Sequence, residues 1–400
     1  MFSYIFFMMI VIFSIEGIQI KNLKIKRAAQ IFIIIVFYLV AGMSYKIHND
    51  YFVYENIYTK INFSNLKYIN FEKGYVVLNA IFNRFFDFYT FKSLVYLVNI
   101  LLIYRGLKKI LNQEKVCIAL GLMYLLFGQF YSMYLSAFRQ SIAIAIFIYS
   151  LSYIRDKKII KYTLSIILAF FFHKSAIILY PIYFIFNKSL KIKMKFNIYF
   201  YIILNILIMI PELSKSIVLS FSKVVSLLKL GSLSDSYLFK ESNFEIKNII
   251  FNLFLFILYG YLKNKKEDYF VNKGLFCYII IEILSKIIGI FYRIEIYFIV
   301  FYCIFLIDLF IKCNKNIIFK LIRISLVLFL GMNYNLKIII NTSKEKGAYI
   351  PLHFTFERLY KDIKYQDTAE YRHLLDRYES NKNLNQLIEI NDQNYIKTYK

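Results

Sequence analysis

Apolar runs long enough to enter lipid recur along this chain, with short basic loops between them. A helix needs about 20 apolar residues to cross a hydrocarbon core. On that scale the candidate spans are roughly 2–20, 28–45, 91–107, 116–134, 139–154, 160–172, 175–187, 196–211, 246–263, 273–291, 293–312 and 317–333. The segments 21–27, 105–115, 155–161, 188–195, 263–273 and 312–323 are all basic. They fall on alternate turns, so a single orientation puts all six on the cytoplasmic face and the N-terminus outside. The expected fold is all-α, a polytopic transmembrane helix bundle of about 11–12 spans, some short or re-entrant. The expected location is the inner (cytoplasmic) membrane.

Charge and composition fit that reading. A net charge of +25 would suggest nucleic acid as partner in a soluble chain. Here the cations sit in loops of a chain that is 59% hydrophobic, and nucleic acid is not expected. Cys117, Cys277, Cys303 and Cys313 form no C-x-x-C pair, so neither a zinc site nor a disulfide framework is indicated. The first 20 residues lack a basic n-region and a small-residue cleavage site, so they read as a retained span.

The spans divide the chain into a membrane domain at 1–334, with external segments at 45–90 and 211–245, and an external polar tail at 335–400. Within the first external segment, the apolar stretch 75–91 is interrupted by Asn79, Asn83, Arg84 and Asp87 and reads as one interfacial or re-entrant helix. Residues 160–187 are too few for two full spans at a rise of about 1.5 Å per residue. They suit a hairpin of two short helices whose tip, His173-Lys174, lies below the outer surface in a polar cavity.

Cations then gather at one level. Arg139 opens the span 139–154 at its outer end, His173 and Lys174 mark the hairpin tip, and Arg293 falls between the spans 273–291 and 293–312, also outside. Arginine presents a planar fork of donors that suits phosphate and keeps its charge when desolvated. A diphosphate headgroup with its lipid tail in the membrane is a natural ligand. The bland alternative has each arginine snorkelling to headgroups or pairing with a carboxylate such as Glu295. His173 has the chemistry to take a proton from a sugar hydroxyl, or simply to close a helix end. Asp50 is the rival base, and Glu72 reads as a carboxylate that orients its loop. Tyr51 and Tyr54 are candidates for stacking on sugar rings, or for the interfacial aromatic belt. Glu282 and Lys286, four residues apart, read as a buried ion pair. No D-x-D pair suggests a metal site.

These residues carry a resemblance. Asn49-Asp50-Tyr51 followed by Tyr54, Glu72-x-Gly74-Tyr75 followed by Leu78-Asn79, and Phe138-Arg139-Gln140-Ser141-Ile142-Ala143 resemble the EpsG-like polysaccharide polymerases, relatives of the Wzy O-antigen polymerases. The likeness continues through Tyr153-Ile154, Lys157-Lys158, Phe172-His173-Lys174-Ser175-Ala176 and Pro181, with a weaker echo at Arg293-Ile294 and Tyr297-Phe298. It implies a GT-C-like glycosyltransferase at the outer leaflet that polymerises oligosaccharide repeats carried on polyprenyl diphosphate, for capsule, exopolysaccharide or O-antigen. It also implies membrane lipids and a chain-length regulator as partners, and no cofactor. By this resemblance His173, Arg139 and Asp50 are the catalytic candidates, and Arg293, Lys174, Gln140, Glu72 and Tyr51 the substrate-binding ones. Two rivals stand beside it. A membrane O-acyltransferase usually places its histidine about one helix after such an arginine, where this chain has Tyr153-Ile154-Arg155. A flippase for the lipid-linked repeat would need charges through the bundle and broken helices at mid-membrane.

Overall fold

A computed structural model describes residues 22–44, 50–69, 71–111, 137–187, 194–210, 269–285 and 288–312, with scattered positions at 115–134 and 216–260. The expected spans at 2–20 and 317–333, the expected tail and Lys286 lie outside the described residues. What is described is helical, and it falls into two units.

The first unit holds α1 (Leu23–Gly42), α2 (Tyr51–Lys60), α3 (Lys73–Phe82), α4 (Phe88–Ile110), most of α5 (Phe138–Arg155) and α6 (Ile159–Phe172). Local chemistry sets the ends. Asn22 caps α1 by accepting the Lys24 amide at 2.9 Å, and Asp87 caps α4 by accepting the Thr90 amide at 2.8 Å. The basic segment 21–27 is therefore largely the first turns of α1 and not a loop. The stretch 75–91 likewise breaks in two. Asn83 closes α3 and donates through Nδ2 to the Ile61 carbonyl at 2.8 Å, while Asp87 starts α4. A C-terminal and an N-terminal signal sit four residues apart, and they outweigh the apolar continuity around them.

Contacts along the helices give their directions. Tyr104 donates to Gln30 Oε1 at 3.2 Å, and the Tyr38 and Ser93 hydroxyls lie 2.6 Å apart, so α1 and α4 run antiparallel. Asn99 Nδ2 donates to Ser141 Oγ at 3.1 Å, and Gly106 meets the backbone of Ile148 and Tyr149, so α4 and α5 run parallel. At Gly106 a Cβ would stand 2.6 Å from the Ile148 carbonyl oxygen, so only glycine admits this approach. These directions are the ones the alternating basic loops require. Among the described residues one helix, α4, is long and apolar enough to cross a membrane. The helix α6 is shorter, about 21 Å for 14 residues, in line with the expected short hairpin arm.

The aromatic core of this unit is built around Phe138, the first residue of α5. Its ring packs against Tyr96 (5.3 Å between centroids), Tyr54 (5.8 Å), Phe91 (5.9 Å) and Tyr75 (6.0 Å), drawing α2, α3 and α4 to one end of α5. Edge-on ring pairs of this kind add about 0.5–1.5 kcal/mol each beyond the area they bury. Anchoring Phe138 so firmly also fixes where its neighbour Arg139 points. A buried cation lies nearby: Lys92 Nζ donates to the Ser44 carbonyl and, at 3.0 Å, to Ser44 Oγ.

The second unit holds α7 (Ile182–Asn187), α8 (Met194–Met209), α9 (Tyr269–Leu284) and α10 (Gly289–Lys312, to Leu309). Lys273 on α9 donates to the carbonyls of Ile185 (2.8 Å) and Phe186 (3.0 Å), satisfying carbonyls at the end of α7 that have no helical partner. Tyr278 of α9 stacks on Tyr302 of α10 at 5.2 Å.

Candidate functional site

The hairpin of α5 and α6 returns the chain to the level at which it started, so the first residues of α5 and the last of α6 share one end. The turn between them is tight. Lys158 donates its amide to the Tyr153 carbonyl at 2.8 Å, and Lys157 adopts φ of 57°. At the far end, His173 closes α6 through its amide to Ala169 and leaves the helix with extended backbone. A 3₁₀ turn, Lys174–Leu179, follows.

Glu72 joins the two helix ends. It stands at the N-cap of α3 but makes no capping bond with its side chain. One carboxylate oxygen, Oε2, takes the Arg139 guanidinium as an ion pair through Nη1. The other, Oε1, accepts the backbone N–H of Lys174 at a long 3.3 Å. The α3–α6 contact makes this reach feasible, because Gly74 lets the start of α3 lie against Phe171 at the end of α6. The pair is sheltered, with 20% of the Arg139 side chain and 9% of the Glu72 side chain exposed.

Aromatic rings line the guanidinium. Its Cζ lies 4.0 Å from the Phe71 ring centroid and 5.8 Å from that of Tyr54. The guanidinium also hydrogen-bonds the Tyr54 phenol, while Arg139 Nε is buried and has no hydrogen-bond partner among the described residues. Beside the pair, His173 is buried and its Nδ1 lies 2.6 Å from Ser175 Oγ, which fixes the ring's orientation whichever atom donates. Burial pushes the Glu72 carboxyl upward, but the Arg139 guanidinium, then His173, its own backbone amide and the Lys174 amide, outweigh it and hold it below its ordinary value. Burial raises the Tyr54 phenol, with Arg139 opposing and Asp50 and Glu72 adding to the rise.

The lowered Glu72 carboxyl makes stability depend on pH. A carboxyl with a lowered folded value stabilises the protein above its ordinary value near about 4.3, and that stability is lost as pH falls through the folded value. Thermal melts of the detergent-solubilised protein are expected to show wild type losing its advantage over Glu72→Gln on acidification from about pH 6 to about pH 3. Parallel curves would show that Glu72 is not held by its cationic neighbours.

The expected site residues thus divide. Arg139, Glu72, His173 and Lys174 come together. Arg139 has a carboxylate partner, as the bland alternative proposes, in Glu72. Asp50 stands at the N-cap of α2, close enough to act on the Tyr54 phenol. Tyr51 turns into the core, its ring against Phe88 (5.4 Å) and Tyr89 (6.2 Å). Gln140 is buried in the first turn of α5. Arg293 belongs to the second unit and lies in the second turn of α10, not at the opening of a span, because α10 begins at Gly289. Sequence reading missed two features. Phe71, under the guanidinium, carries no sequence mark. Lys92 does carry one: a lone lysine in an apolar span is costly and calls for a partner.

The EpsG family matches residues 27–354 of the chain, and no curated protein and no solved structure matches it.

Proposed function

Because the chain belongs to the EpsG family, a family of membrane proteins linked to exopolysaccharide biosynthesis, we propose that it is a membrane glycosyltransferase that polymerises oligosaccharide repeats carried on polyprenyl diphosphate. The observation that carries the reading is the sheltered Arg139 fork, already holding a carboxylate, beside His173. A guanidinium that grips one anion in a dry, ring-lined setting is suited to grip the diphosphate of a lipid-linked sugar.

In the proposed reaction an acceptor hydroxyl on one lipid-linked repeat attacks the anomeric carbon of another. The new C–O bond forms as the anomeric carbon's bond to diphosphate breaks, and polyprenyl diphosphate leaves with the electron pair. Negative charge grows on that leaving group, and Arg139 stabilises it there. His173, its ring oriented by Ser175, takes the proton from the acceptor hydroxyl. Asp50 is the alternative base. The wider setting, a GT-C-like polytopic bundle opening at the outer leaflet among membrane lipids and working with a chain-length regulator, belongs to this proposal too. Outward apolar side chains on α6, among them Ile160, Leu164 and Leu168, suit a surface against lipid.

The test is reconstitution. The purified chain in liposomes, given a lipid-linked repeat, is expected to yield a ladder of longer products and free polyprenyl diphosphate. Movement of the headgroup across the bilayer without elongation would replace this reading with a flippase. Acyl transfer to the sugar without elongation would replace it with an O-acyltransferase.

A further inference from the structure

We propose that Glu72 is a resident anion seated where a phosphate group of the substrate binds, so that the diphosphate must displace it. The inference rests on the reading of Arg139 given above. Two donors from distant parts of the chain, Arg139 Nη1 and the Lys174 amide, converge on the two oxygens of one carboxylate. Carboxylate and phosphate oxygens compete for the same charge-assisted donors. Local chemistry holds the carboxylate only lightly: it makes no capping bond to α3, and its own backbone amide is the one local donor that acts on it. The site also has donor capacity that the carboxylate leaves unused, since Arg139 Nε is buried with no hydrogen-bond partner among the described residues. A diphosphate carries more acceptor oxygens than a carboxylate and can engage that N–H as well.

The exchange follows from charge. Two anions cannot share one guanidinium at close range without mutual repulsion. An arriving diphosphate therefore drives the Glu72 side chain out. Until then Glu72 keeps Arg139 charged, oriented and neutralised in a sheltered place, where a bare cation would be costly. The arrangement also sets a threshold. A ligand displaces Glu72 only if it outbids the carboxylate, which favours the more highly charged diphosphate over a monophosphate.

The experiment is equilibrium binding of inorganic pyrophosphate and inorganic phosphate to the full chain in detergent, for wild type, Glu72→Gln, Glu72→Ser and Arg139→Ala. Removing the competing charge is expected to tighten pyrophosphate binding by about tenfold in both Glu72 variants and to narrow the preference over phosphate. Arg139→Ala is expected to lose binding. If Arg139→Ala binds pyrophosphate as wild type does, the diphosphate reading itself fails. If Arg139→Ala loses binding while both Glu72 variants bind no tighter than wild type, the reading survives and the resident anion does not. Glu72 would then be only a positioning residue. Using a small and a near-isosteric replacement keeps the test decisive should one variant fold poorly.

Discussion

Arg139→Ala is expected to stop chain growth, and a second substitution that restores stability is expected not to restore it. One side chain does two jobs. In the resting protein Arg139 neutralises a sheltered carboxylate. Removing one partner of such a pair costs about 3–5 kcal/mol, mostly because the other charge is left buried and alone. Arg139→Ala should therefore melt early, and lost activity alone would prove little. The double variant Arg139→Ala/Glu72→Gln removes both charges, and its melting temperature should recover most of the way. Elongation should not recover. Losing one preorganised donor to a developing oxyanion costs about 10²–10³ in rate, and nothing in the double variant replaces it. Arg139→Lys keeps the charge but not the planar fork, and should fall between. The measurements are elongation rate in liposomes and thermal midpoint in detergent, made on the same preparations. A double variant that regains both would make Arg139 a structural residue.

Those measurements bear on a site that was only half legible in the amino-acid order. Placing Arg139 and His173 at one level needed only the lengths of two adjacent helices and the basic turn between them, which are local properties. The helices at 138–155 and 159–172 fall within a residue of the sequence reading for the same reason. Glu72 was legible as a carboxylate that orients its loop, but its partner was not. Residues 72 and 139 are joined by the packing of α3 on α6 and by the aromatic cluster around Phe138, and neither leaves a periodic signal. Arg293 shows the opposite error. The expected span opens at 293, yet the helix α10 already begins at Gly289. Helix propensity does not penalise arginine, so a charge alone does not mark a helix boundary. The segment 75–91 carried its break in plain view, as Asn83 and Asp87. Hydropathy averaging hides a cap that dihedral and hydrogen-bond chemistry makes decisive.

The same contact between α3 and α6 should make Gly74 as sensitive as any charged residue, although it touches no substrate. A Cβ at position 74 would lie 2.8 Å from the Phe171 carbonyl oxygen and 2.8 Å from Phe171 Cβ. Helix propensity favours Gly74→Ala by about 0.8–1.0 kcal/mol, whereas overpacking a close contact costs about 1–3 kcal/mol. The steric term wins, and the helix must shift. That shift disturbs Phe171 at the end of α6 and, with it, His173 two residues later. Misplacing catalytic groups by about 1 Å can cost around 10²-fold in rate. Gly74→Ala should therefore slow elongation far more than it lowers the melting temperature, and Gly74→Val should slow it further. Because the obstruction is backbone oxygen and Cβ, trimming the ring with Phe171→Ala should not rescue either variant. If it does, the collision lies with the ring and the backbone approach of α3 to α6 is not what holds His173 in place.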